Sequence, residues 1–213
     1  MKITVIGATG NVGSRVVTEA LFRGHQVTAI VRKSSSSNDL PAGVKSRIAD
    51  AANVEDVANI SLDQDILISA LRPLPNRKSD TVATTDALMH GLRQTGVRLL
   101  VVGGAATLAI PGTNGKTVLD DSNFLPVSAR HIGRASSDQL AACRSESEVD
   151  WAYLSPPAHL VPGIRTGHYR QGTDKLLLDA QGNSTISMED LAVALVDEAE
   201  RPKHHRTRFT VAY

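Results

Sequence analysis

Short apolar runs rich in β-branched residues recur along the chain at Ile3 to Ile6, Val27 to Val31, Ile66 to Ser69, Leu99 to Val102 and Trp151 to Leu154, with helically spaced stretches between them. Alternation of this kind predicts parallel strands joined by crossover helices. After the first run, Val12, Val16, Val17, Ala20 and Leu21 share one helical face, and Gly24 stands where a C′ glycine would end that helix. Val44 to Ile48 reads as a weaker strand, Asn53 to Asn59 as a short helix, and Thr81 to Gln94 as a longer one that stops before Gly96. Helix is expected again from Arg134 to Glu146. Ser187-Met188-Glu189-Asp190 reads as a capping box ahead of the apolar face Met188, Leu191, Ala192, Leu195, Val196 and Ala199, and Phe209 with Val211 suggests a closing strand.

Two stretches break this rhythm. Gly103 to Gly133 carries Pro111, Gly112, Gly115 and Pro126 without a clear period, and Pro156 to Gly172 carries Pro157, Pro162, Gly163 and Gly167. Both leave predicted strand ends, and ligands of open parallel sheets sit outside the carboxyl ends of the strands, so the two are expected to wall one pocket and to move over it. A length of 213 residues favours one domain, residues 1–213, with substrate-side elements mainly in 104–133 and 155–190. With 23 Lys+Arg against 22 Asp+Glu, the charge balance argues against a protein that grips nucleic acid. A single cysteine, Cys143, makes neither an internal disulfide nor a multi-cysteine metal site, which fits a reducing, cytoplasmic address. No apolar run approaches the length of a membrane span, and no signal-peptide core is evident.

Chemistry enters at Gly7-Ala8-Thr9-Gly10-Asn11-Val12-Gly13, a GxxGxxG turn between a strand and a helix. That context points to dinucleotide binding: the glycines allow close backbone approach to a pyrophosphate, and the N–H groups of the helix start attract the anion. At the end of the second strand, an acid would bond the ribose 2′-hydroxyl and repel a 2′-phosphate, but the chain reads Val31-Arg32-Lys33-Ser34. NADP(H) is therefore expected over NAD(H). Asp50, with Ala51 beside it, either accepts from the adenine amino group or caps the following helix, and Ser69-Ala70-Leu71-Arg72 would run along the ribose and diphosphate. His204-His205 with Arg201, Lys203, Arg206 and Arg208 reads as a solvated basic loop rather than a metal or nucleic-acid site.

The glycine turn, Arg32, Ser69-Ala70-Leu71-Arg72, Val102-Gly103-Gly104-Ala105, Trp151-Ala152-Tyr153-Leu154-Ser155-Pro156 and Ile186-Ser187-Met188-Glu189-Asp190-Leu191-Ala192 together resemble the atypical short-chain dehydrogenase/reductases. Within these, the match is to the bacterial NADH-flavin reductase group, relatives of biliverdin reductase B and of the NmrA-like proteins. The resemblance implies an α/β fold of Rossmann type, a doubly wound parallel sheet with helices on both faces and a small C-terminal substrate-side lobe. It also implies a nicotinamide cofactor with FMN or FAD as exchangeable acceptor, and places Gly103, Gly104, Pro156 and Pro157 along the cofactor.

Several residues depart from the wider pattern. No Tyr-x-x-x-Lys pair exists, since the positions four beyond Tyr153 and Tyr169 are Pro157 and Thr173. Where related reductases carry a serine after the fifth strand, only Thr107 offers a hydroxyl, and the histidine expected after the paired prolines is displaced by one, to His159. Thr107 and His159 are the two candidate proton donors. The expected function is hydride transfer from nicotinamide C4 to flavin N5, or to a quinone, by a monomer or homodimer that engages neither nucleic acid nor membrane. A non-catalytic NADP-binding redox sensor and an epimerase of nucleotide-linked sugars are the competing readings.

Overall fold

The computed structural model describes residues 1–33, 40–72 and 78–213. Ser34, placed with the cofactor cations above, lies outside them. The chain alternates strands and helices: β1 (Lys2–Ile6), α1 (Asn11–Phe22), β2 (Gln26–Val31), β3 (Lys45–Ile48), α2 (Val54–Ser61), β4 (Ile66–Ser69), α3 (Lys78–Arg93), β5 (Arg98–Val102), α4 (Arg130–Ser145), β6 (Trp151–Ser155), β7 (His159–Val161), β8 (Arg170–Gly172), β9 (Thr185–Ser187), α5 (Met188–Glu200) and β10 (Thr207–Ala212). One eight-stranded sheet has the order β3-β2-β1-β4-β5-β6-β10-β8, and β7 pairs with β9 separately. Its first six strands follow the 3-2-1-4-5-6 order of a doubly wound dinucleotide-binding sheet. Only β8, at the edge, runs antiparallel.

The apolar runs become strands because both faces of the sheet are covered. Ile3, Val5, Ile66, Ile68, Leu100, Ala152, Leu154 and Phe209 point into a core shared with α1 and α5. Leu67, Leu99, Val101, Trp151 and Tyr153 face the opposite core, with Val57, Ile60, Leu88, Leu92, Leu140 and Cys143 from α2, α3 and α4. The weaker strand, β3, is exposed at every residue and forms the other edge. Helix α1 ends as its sequence predicts: Gly24 has φ +78°, its N–H donates to the Leu21 carbonyl, and His25 N donates to that of Ala20. This is the double bond of a Schellman turn, which requires a left-handed residue at that point.

The breaker-rich stretch after β5 has a small core of its own. Leu108, Ile110 and Val118 pack with Leu176, and Ala109 bridges both Thr117 and Lys175. The segment thus folds onto the chain just beyond β8 as a lobe. The stretch after β6 contains β7 and β8, which no apolar run announced.

Two cap assignments need correction. Ser187 caps α5 by accepting from Asp190 N at 2.9 Å, but the Asp190 carboxylate does not return to Ser187 N. The loop at 166–167 offers it more donors: it accepts from Thr166 N, Gly167 N, Thr166 Oγ1 and Tyr213 Oη, all within 2.8 Å, while Ser187 N donates to Tyr213 Oη. Asp50 does not cap α2, because Asn53 holds that position and accepts from Asp56 N at 3.0 Å. Asp50 Oδ1 instead accepts from Ala52 N.

At the far end of α5, Glu198 is buried and accepts from Arg98 Nη2 at 2.7 Å and from Lys203 N and His204 N, with His204 Nδ1 at 2.8 Å. Asp150 stands 3.1 Å from Arg98 Nε and bonds His205, and the His204 ring stacks on Phe209. The paired histidines are therefore hydrogen-bonded to carboxylates of the fold, within a loop that is otherwise largely exposed. Burial pushes the Glu198 carboxyl up, but the Arg98 and His204 hydrogen bonds outweigh it and leave the group below its ordinary value. A depressed carboxyl stabilises the fold above its unfolded pKa of about 4.3, and that contribution is lost as pH falls through the folded value. Glu198→Gln removes one of the two carboxylates beside buried Arg98, leaving Asp150 at its Nε, and should lower unfolding free energy by about 1.5–3 kcal/mol near neutral pH, the scale of a lost hydrogen bond to a charged group. Urea titration should show the gap from wild type narrowing below about pH 4, as the wild-type carboxylate protonates; a gap independent of pH would show that the Glu198 charge contributes nothing.

Candidate functional site

The strand register lines up the carboxyl ends of the central strands. Ile6 aligns with Ile30 and Ser69, Val31 with Ile48, Ser69 with Val101, and Val102 with Leu154. The segments that follow therefore emerge along one edge: Gly7 to Gly13 after β1, Arg32 and Lys33 after β2, Asp50 and Ala51 after β3, Ala70 to Arg72 after β4, Gly103 and Gly104 after β5, and Pro156 and Pro157 after β6. Residues from six separate parts of the sequence converge there because the sheet is parallel.

The glycines of the first turn are demanded by backbone contacts. Gly7 has φ +78°, and a Cβ on it would lie 2.8 Å from the Ala70 carbonyl oxygen. A Cβ on Gly13 would lie 2.0 Å from the Gly7 carbonyl oxygen, well inside contact distance. Strand β1, helix α1 and the end of β4 are thereby pressed together. The start of α1 is also chemically distinctive. Its N-cap is Gly10, which offers no side chain, and its first turn holds no acid. Helices α2 and α5, by contrast, have Asn53 and Ser187 as side-chain caps and two acids each in the first turn. An uncapped start with no negative charge of its own suits an anionic ligand group. Arg32 and Lys33 are exposed beyond β2. The arrangement fits a dinucleotide, whose pyrophosphate the Gly7–Gly13 turn could hold.

The turn after β5 is held from below. Tyr153 is fully buried on β6, and its hydroxyl accepts from Gly104 N at 3.2 Å and donates to the Ser136 carbonyl at 3.0 Å. A Cβ on Gly103 would lie 1.9 Å from the Tyr153 ring, so only glycine can lie flat there. Thr107, a candidate proton donor from the sequence, is half-buried, and its Oγ1 accepts from Arg208 Nη1 at 2.7 Å. That bond ties Thr107 to β10 and leaves its own O–H free to donate. His159 is exposed at the start of β7, where its N–H donates to the Ser184 carbonyl.

All three tyrosines of the chain are committed to the fold. Besides Tyr153, the Tyr169 hydroxyl donates to Asp197 at 2.6 Å, and that of Tyr213 to Ser187 Oγ and Asp190. Burial raises both Tyr153 and Tyr169 well above the ordinary phenol range, with Asp197 adding to the rise at Tyr169. Sequence inspection missed Tyr153 and Arg208 as supports of the edge. A signal for Arg208 existed, since it stands in the closing strand directly before Phe209. Among the described residues no group of three or more His, Cys, Asp and Glu could hold a metal ion, and no helix is long and apolar enough to cross a membrane. Two polar clefts lie away from the edge, one at the end of α5 beside Tyr169, Asp197 and Arg201, the other at the amino ends of β1, β2 and β3.

Comparison with known proteins agrees with the edge. The family model for NAD(P)H-binding proteins matches residues 7–202. An exported-protein candidate from Burkholderia pseudomallei has a similar structure, with TM-score 0.89 at 39% identity over 100% of both chains. An epimerase candidate from Bacteroides thetaiotaomicron gives TM-score 0.90 at 38% identity, over 100% of this chain and 96% of that one. An NADH-flavin reductase candidate from Streptococcus pneumoniae gives 0.87 at 30% identity, over 100% and 99%. The three descriptions differ, whereas the fold is shared. The chain belongs to the NAD(P)H-binding family and has a Rossmann-type fold.

Proposed function

We propose that this protein is an NADPH-dependent reductase whose acceptor is an exchangeable planar molecule, FMN or FAD before quinone. The observation that carries the reading is the composition of the carboxyl edge, where the glycine turn and the acid-free start of α1 stand in register with two exposed cations, Arg32 and Lys33, and no carboxylate ends β2. Likeness to the Streptococcus pneumoniae NADH-flavin reductase candidate supports flavin as acceptor. When bound, the nicotinamide supplies a hydride from C4, which flavin takes at N5. Within this reading the chain's residues bind and orient. The commitment of every tyrosine to buried or structural bonds argues against epimerase or carbonyl-reductase chemistry driven by a tyrosine acid, and favours an acceptor that needs no side-chain proton. The deciding experiment follows NADPH oxidation with FMN, FAD, quinones and aldehydes, with NADH in parallel. Turnover with flavin supports the reading, and NADPH binding without turnover of any acceptor overturns it.

Cofactor choice follows from the cations. Arg32→Ala should weaken NADPH by roughly tenfold or more, the scale of a lost charge-assisted bond, and leave NADH nearly unchanged. Equal losses for both nucleotides, measured by calorimetric titration, would remove Arg32 from the 2′-phosphate.

The proton question has its own outcome. At saturating NADPH, His159→Ala should reduce flavin at a rate within about tenfold of wild type, since general acid catalysis is worth roughly a hundredfold or more where it operates. Thr107→Val strands an Arg208 N–H in a buried site and should destabilise by about 1–3 kcal/mol, with a similarly small effect on the rate of the folded enzyme. A hundredfold rate loss in either variant would identify a proton donor.

A further inference from the structure

The sheet divides at β1 into two halves, β1-β2-β3 and β4-β5-β6, and a dinucleotide crosses the crevice where the order reverses. Arg32 and Asp50 belong to the first half, which takes the adenine nucleotide in the reading above. The second half must then carry the nicotinamide end, and its central strand, β5, ends at Gly103-Gly104.

We propose that Tyr153 is the positioning residue for the nicotinamide end of the nucleotide, fixing through its hydroxyl the Gly103–Gly104 turn on which that end rests. This builds on the nucleotide placement above but not on the acceptor. Three observations carry it. The Tyr153 hydroxyl is saturated by the turn and by α4: it accepts from Gly104 N, donates to the Ser136 carbonyl, and has Gln139 Oε1 at 3.3 Å. The ring is the floor of the turn, because a Cβ on Gly103 would fall 1.9 Å from Cζ, and one on Gly104 would fall 2.5 Å from Ser136 Oγ. The neighbouring strand repeats the device, since Arg208 aligns with Tyr153 in the sheet and holds Thr107 while Asp174 holds Arg208. Residues 103–107 are thus tethered at both ends from one row of β6 and β10. Burial keeps the phenol neutral, so the hydroxyl stays a fixed donor and acceptor rather than a source of protons.

Tyr153→Phe keeps the ring under Gly103 and deletes only the hydroxyl, leaving Gly104 N–H without its acceptor. The variant and wild type should be titrated calorimetrically with NADPH and with 2′,5′-ADP, which has the adenine half and its phosphates but no nicotinamide. NADPH should weaken by about three- to tenfold, the scale of one lost neutral hydrogen bond, while 2′,5′-ADP stays within about twofold. The fluorescence of bound NADPH, which reports the surroundings of its nicotinamide ring, should change with it. Equal weakening of both ligands would show a general loosening of the fold and overturn the proposal, as would no change in either. If Tyr153→Phe does not accumulate folded, Gly104→Ala makes the same test, because its methyl would press on Ser136 Oγ and lift the turn. No acceptor enters these titrations, so a failure of the flavin reading would show as absent turnover and leave the ratio of affinities intact.

Discussion

The contact on which the rest depends is between backbones. The Ala70 carbonyl closes on Gly7 and the Gly7 carbonyl closes on Gly13, at separations that leave no space for a Cβ on either glycine. This stack sets the distance between β1, α1 and the end of β4, and so decides where the first turn of α1 points. A side chain at Gly13 would drive the helix off the strand, and the same displacement would withdraw its N–H groups from the carboxyl edge. Fold and candidate site therefore share one steric requirement at this corner. From there α1 runs down to Arg23, which binds Glu19, Asp197 and Glu200, and Glu19 also receives Arg165. The corner is thus coupled to α5 and to the loop after β7 through half-buried charges whose partners lie far apart in sequence.

The polar side chains inside this protein are largely consumed in fixing backbone. Tyr153 holds the turn after β5, Arg208 holds Thr107, Asp190 gathers the loop at 166–167, and Glu198 collects Arg98 and His204. A buried polar group without partners costs about 1–3 kcal/mol, so each of these has limited freedom to take a second role. What remains at the edge is mostly backbone, small residues and exposed cations. Such a surface offers a nucleotide backbone donors and cations and little acid–base chemistry.

Much of this was legible in the sequence, and the exceptions have physical causes. Central parallel strands are buried on both faces, so they appear as continuous apolar runs, and the turn Gly7 to Gly13 is local enough to read directly. Strands β7, β8 and β9 are three residues long, and β7 and β8 bury little, so they leave no run to find. The tie between Thr107 and Arg208 was hidden because the two lie 101 positions apart. Asp190 looked like half of a capping box because its competing donors, at Thr166, Gly167 and Tyr213, reach it only in the folded chain. In both cases the tertiary hydrogen bond has its other half outside anything a local pattern could contain.

That division of labour also bears on how relatives of one fold come to differ. The residues that would hold the nucleotide come mainly from the first third of the chain and from strand ends fixed by sheet register. The lobe comes from the insertion after β5 and the segment beyond β8, and it has a separate core of Leu108, Ile110, Val118 and Leu176. It is attached through the bonds of Arg208 to Thr107 and Asp174 and through Leu119 and Leu125 against Gly133 of α4, away from the glycine corner. Changes within the lobe can therefore reshape what is admitted beside the nucleotide without disturbing the contacts at Gly7 and Gly13.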